Sequence, residues 1–233
     1  MKTKIFSHKQ LIGTTELKVG DKSMGEVFGN FIPTQYYFDN FQKYVWEFWK
    51  TKKPDLKKWE SLKLNAQLEN GFFLYPNGGF TFDDIKGLNN KTLRIDIAGV
   101  NNEIIKNYIE TDTIKPFTEE PWSELEIGQK ISFENELRKE LGIKDKSLFL
   151  NLFKKSSKHD LINFEFSALC HDQRNDNVLF EINSNKSDKQ FALVHLTWSG
   201  KEESQNYPRT EFYSSFSEFK NLRMIPDKIE WQE

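Results

Sequence analysis

The chain predicts an α+β protein of two modules, each an antiparallel sheet packed with helices on one side. Three observations lead there. Short segments of alternating apolar and polar residues recur along the chain, bounded by Gly, Asp, Asn and Pro. Residues 35–50 (QYYFDNFQKYVWEFWK) carry a strongly amphipathic helical pattern. Residues 110–131 lose both periods, contain Pro116 and Pro121, and are rich in acids. They read as a linker (111–131) between modules at 1–110 and 132–233.

Residues 10–19 and 25–32 predict two strands, with Gly20, Asp21 and Lys22 at the turn. Pro33 ends the second strand, and Thr34 is placed to cap the helix that follows. In that helix Tyr37, Phe41, Tyr44 and Phe48 recur at helical spacing, with Phe38, Val45 and Trp49 widening the stripe. The stripe reads as a face packed on a sheet rather than a platform for stacking bases. Pro54 opens a short helix through Trp59 and Leu62. Residues 64–73 and 78–85 predict strands around a turn at Pro76, Asn77 and Gly78. Residues 92–99 predict another, with Leu93, Ile95 and Ile97 on one face, and 101–109 a short helix.

The second module is expected to begin with a helix at 133–142, closed by Gly142, with 147–153 as a candidate extension of this helical part. Strands follow at 163–171, 177–184 and 190–198, then a helix at 215–222.

Composition narrows the classes of function. With 21 Phe, six Trp and seven Tyr in 233 residues, the chain has ample apolar bulk for two cores, which excludes disorder as the main state. The net charge of −2 provides no long-range attraction for nucleic acid or anionic lipid. The lysine-rich run 50–58, set among Trp46, Trp49 and Trp59, is too small a footprint to change that. No run approaches a membrane span, and the first residues do not read as a signal peptide. The single cysteine, Cys170, forms no internal disulfide and suits a reducing cytoplasm. Its predicted strand face (Phe164, Phe166, Ala168) makes it a buried, inert thiol. The expected location is cytoplasmic.

The chief polar constellation lies in the second module. If the three strands are antiparallel neighbours, Glu181, His195, Ser167 and His171 share a half-exposed sheet face. A carboxylate beside a histidine is the material of acid–base chemistry. It is equally the ordinary solvated side of a sheet. No nucleophile elbow, phosphate loop or HExxH spacing accompanies it. His171, Asp172, Asp176 and His195 lack the spacing of a metal site, so neither metal nor cofactor is expected. GEVFGN (25–30) and PNGG (76–79) read as bulge and hairpin glycines. The loops 172–176 and 201–211 mix charge with Tyr207, Arg209 and Glu211, residue types that anchor protein interfaces.

Residues His159, Leu161, Asn177–Phe180, the run Val194–Gly200 (VHLTWSG), Pro208 and Thr210 resemble an uncharacterised bacterial domain family. The chain departs from that pattern at Asp160, where the family has proline, and at Asn177, where it often has aspartate. LIGTTELKVGDKSMGEVFGNFIPTQYY resembles a second uncharacterised bacterial family, marked by Gly-Asp-x-x-Met-Gly and Phe-x-Pro. Neither resemblance carries a catalytic residue. By type and size, both are similar to immunity partners of bacterial toxins. The expectation is therefore a binding protein, an immunity protein or antitoxin that neutralises a toxin by direct contact. Its candidate binding residues are Glu181, His195, Thr197, Tyr207, Arg209 and Glu211. The alternatives are an enzyme using the Glu181/His195 face and a structural adaptor; the oligomeric state is left open.

Overall fold

The computed structural model describes residues 1–51, 53–87, 92–143, 159–183, 187–204 and 206–233; the expected helical extension at 147–153 lies outside these. The chain forms two compact units, Met1–Phe117 and Thr118–Glu233. Both are antiparallel sheets with helices, the predicted α+β class.

The first unit holds β1 (Lys2–Ser7), β2 (Gln10–Glu16), β3 (Lys18–Val19), β4 (Val27–Pro33), β5 (Leu64–Leu68), β6 (Phe73–Leu74), β7 (Gly79–Phe82) and β8 (Leu93–Ala98). Their order is β6-β5-β1-β2-β4-β8-β7, with β3 paired to β4. β1 was not expected, yet it is internal, pairing with both β2 and β5. Thr3 and Ile5 are buried between exposed Lys2 and Lys4, an alternation that the lysines disguise in sequence. The expected strand 64–73 breaks at Asn70 and Gly71, where Gly71 takes φ +88° and the chain turns into β6.

The aromatic helix opens with a π turn, Tyr37–Phe41, before α1 (Gln42–Lys50). Tyr37, Phe41 and Val45 are its buried residues. The Tyr37 ring meets Phe31 of β4 edge-on at 5.2 Å, and the Phe41 ring meets Phe82 of β7 edge-on at 5.5 Å. Gly13 of β2 makes room there, since a Cβ would lie 2.3 Å from the Phe31 ring. Phe38 and Trp49, predicted within the buried stripe, are exposed. Val45, from the same widened row, is buried, so the row is split. The short α2 (Leu56–Ser61) is capped by Asp55, whose side chain accepts from Lys58 N–H at 3.1 Å. α3 (Asn102–Ile104) and a second π turn, Ile105–Ile109, place Tyr108 on Phe72.

The second unit contains β9 (Trp122–Glu124), α4 (Ile127–Glu140), β10 (Glu165–Asp172), β11 (Asn177–Asn183), β12 (Phe191–His195), β13 (Arg209–Tyr213), α5 (Phe216–Phe219), a π turn at Lys220–Met224 and α6 (Ile225–Gln232). The sheet order is β13-β12-β11-β10-β9. Residues 118–131, read as connection, belong to this unit: they supply β9 and the first turn of α4. Trp122 decides this, since its fully buried ring packs on Phe219 at 5.0 Å.

Helices cover this sheet on both faces, not one. On the first face Phe191 meets Phe216, and Tyr213 meets Phe219. On the other, α4 sets Phe133 against His171 and the Arg138 guanidinium over Phe166. Two-sided burial explains the nearly unbroken apolar runs of β10, β11 and β12. α4 also closes an open strand edge. β9 pairs only with Cys170–Asp172. Further down β10, Ala168 N–H donates to Glu134 Oε1 (3.1 Å), and Ala168 O accepts from Lys130 Nζ (3.2 Å).

Replacing Phe41, 2% exposed and in contact with several rings, by alanine is expected to destabilise the first unit by about 3–5 kcal/mol. Denaturant unfolding measures it; an unchanged midpoint would remove Phe41 from the core.

Candidate functional site

A β-bulge decides which polar groups of the second unit meet. The β10–β11 register slips between Ala168 and Cys170. Ser167 stays opposite Glu181, but Cys170 now pairs with Leu179 and His171 with Val178. His171 therefore lies on the opposite face from Glu181 and His195, and Cys170 leaves the face of Phe166. Cys170 is fully buried, and burial pushes its thiol far above the usual range.

Glu181 and His195 share a face but not a site. Glu181 pairs with Phe191 and is only 6% exposed, while His195 pairs with Asn177 at the far end of the same ladder. Four residues of strand separate them, about 13 Å. His195 Nδ1 instead meets Asn177 Oδ1 at 3.0 Å. The acid–base pair of the alternative enzyme reading, Glu181 with His195, is not assembled. Asp172 is bonded by Arg174, which also pairs with Asp227 at 2.8 Å. Burial pushes the Asp172 carboxyl up, but the bonds from Arg174 and Asn175 outweigh it and hold it below the usual range.

The structure assembles a different arrangement where β12 ends. The expected strand 190–198 stops at His195. Leu196 N–H turns to Asp176 O at 3.0 Å. Thr197 N–H and Trp198 N–H then both donate to Glu140 Oε1, each at 2.8 Å. Gly200 N–H donates to Glu136 Oε1 at 2.8 Å, and Glu203 N–H to the main-chain O of Glu140 at 2.9 Å. Glu136 and Glu140 lie one turn apart on α4, so both reach the loop from one helix face. Thr197 Oγ1 completes the bracket by donating to Glu203 Oε1 at 2.8 Å.

This bracket holds Trp198 in a left-handed conformation, φ +55°, that bulky residues rarely adopt. Trp198 is nevertheless 46% exposed. It rests on Phe133 at 5.7 Å and donates Nε1–H to Asp176 Oδ1 at 3.0 Å. Glu140 itself is 1% exposed, and its Oε2 has no partner among the described residues. Burial raises its carboxyl above the usual range, although the two amides pull the other way.

Of the predicted binding residues, His195 lies beside Arg209 in the β12–β13 register, and Glu211 lies two residues along the same face. The Arg209 guanidinium sits 5.9 Å from the Tyr207 ring centroid. Glu211 accepts from Tyr213 Oη at 2.9 Å. Thr197 belongs to the bracket, and Glu181 belongs to neither group. Trp198, Glu136 and Glu140 were not predicted. Their signal was the glycine after Trp-Ser and the i, i+4 glutamates at the end of α4, which also read as a solvated helix face.

No family model matches this chain, and neither does any curated protein or solved structure. None of the described helices is long and apolar enough to cross a membrane.

The raised Glu140 carboxyl gives a signed pH dependence. Its folded value lies above its unfolded one, so protonation of Glu140 favours the fold. That contribution is complete below the unfolded value and lost as pH rises through the folded one. Thermal melts of wild type and Glu140→Gln should show wild type gaining relative stability as pH falls from neutral through the carboxylate range. A difference that stays flat or shrinks would contradict the burial of this charge.

Proposed function

We propose that the chain is a binding protein that acts by direct contact with a protein partner, of the class that neutralises a bacterial toxin in the cytoplasm. The observation that carries this reading is Trp198. A bulky side chain in left-handed backbone costs on the order of 1–3 kcal/mol, and such strain concentrates at functional positions. Here two buried carboxylates maintain the strain, and the held residue is an exposed indole. Trp, Tyr and Arg dominate the energetics of protein interfaces, and a rigid anchor loses little entropy on binding. Tyr207, Arg209, His195 and Glu211 supply the flanking aromatic and charged groups. Neutralisation by contact requires such a surface and no reacting group.

The test is to sequence the genes flanking the one for this chain, which the proposal expects to include a toxin gene, and to co-express the two products. Wild type is expected to form a complex and restore growth. Trp198→Ala, with an unchanged melting temperature, is expected to lose at least about 2 kcal/mol of affinity, roughly 30-fold. Equal protection by the variant, or no complex with wild type, would overturn the proposal.

A further inference from the structure

A second site lies in the first unit and does not rest on the toxin-binding reading. The π turn brings Tyr37, Gln42 and Trp46 onto one side of the helix, because Gln42 N–H reaches back to Tyr37 O across five residues. All three donate to one carboxylate. Tyr37 Oη and Gln42 Nε2 reach Asp84 Oδ2 at 2.6 and 2.9 Å, and Trp46 Nε1 reaches Oδ1 at 3.1 Å. Burial and the neighbouring Asp84 push the Tyr37 phenol far up, so it remains a donor.

Asp84 is 6% exposed, and all three donors are neutral. Among the described residues no cation lies within ion-pair reach of it. A buried carboxylate without a counter-charge is costly, and neutral donors offset only part of that cost. An ionised carboxylate accepts about four hydrogen bonds, so Oδ1 retains a vacant lone pair.

Asp84 forms part of the wall of an open cleft of about 820 Å³. Ile32, Pro33, Phe38 and Leu93 supply apolar walls beside Trp46. Ile32 and Phe38 are both exposed along this cleft, so its apolar wall is open to an incoming side chain. Lys86 Nζ already sits 5.4 Å from the Trp46 ring centroid without reaching Asp84. The ring therefore attracts a cation beside the carboxylate.

We infer that this cleft is a receptor for an arginine side chain of a partner protein, its guanidinium donating to Asp84 Oδ1 and its stem lying on Ile32, Pro33 and Phe38. Arginine fits better than lysine because its planar, weakly hydrated head stacks on an indole while it donates. The charge of Asp84 then gains a counter-charge that the described chain does not supply.

The experiment uses the full chain and two probes, Nα-acetyl-arginine amide and its neutral isostere Nα-acetyl-citrulline amide. The reporter is the Trp46 indole N–H resonance. The arginine probe is expected to shift it saturably, with the citrulline probe at least about fivefold weaker. No saturable shift, or citrulline within fivefold of arginine, overturns the inference. Asp84→Asn is expected to abolish the preference. A folded Asp84→Asn that still prefers arginine also overturns it, and if that variant does not fold, the wild-type probe comparison decides alone. Loss of toxin binding in Trp198 variants leaves this outcome untouched.

Discussion

The second unit depends on one carboxylate. Where β12 leaves the sheet, its amides at 197, 198 and 200 lose their strand partners, and buried donors must be satisfied elsewhere. Glu140 takes two of them and Glu136 the third. This single contact joins the end of α4 to the end of β12. It turns the chain through a left-handed residue, Trp198, and fixes the exposed indole there. Without it the donors would need water, and nothing would hold Trp198 at positive φ. The arrangement is an anion-binding nest of backbone amides, filled by the protein's own side chains.

Both units use the same physical device. Each buries an acidic group and surrounds it with neutral donors: amides around Glu140, and an indole, a phenol and an amide side chain around Asp84. Charge-assisted bonds of this kind are short and strong, and they fix geometry more sharply than apolar contact does. The Asp172–Arg174–Asp227 cluster is different, because its charges compensate each other and tie the β10–β11 turn to α6. The latter reads as structure. The former two stand beside exposed aromatic groups, Trp198 and Phe38.

The parts of the fold legible in sequence were those where periodicity reports burial directly. The helix at 35–50 and the alternation of 92–99 are such cases, as are the three long apolar strands of the second unit. What failed were one-residue insertions. The π turn after Tyr36 and the bulge after Ala168 each shift every later side chain by one position. The bulge separated His171 from Glu181 and moved Cys170 to the other face. Neither leaves a mark in a pattern of apolar residues. β1 was hidden by Lys2 and Lys4, β9 by the prolines and acids around it, and β13 by its charged edge residues. The candidate surface was half legible. Tyr207, Arg209 and Glu211 could be nominated from a charged, aromatic loop. Trp198 could not, because HLTW continues the strand alternation, and the signals that the chain turns there, Gly200 and the glutamates of α4, also fit a strand end and a solvated helix face.

The latch itself is tested most directly by amide hydrogen exchange in wild type and Glu140→Ala. The amides of Thr197 and Trp198 should be protected in wild type, although the loop lies outside the sheet. In the variant both should lose that protection while the β11–β12 ladder, such as Val178 and Val194, keeps its own. Equal protection of Thr197 and Trp198 in the two proteins would contradict the account that Glu140 holds this loop.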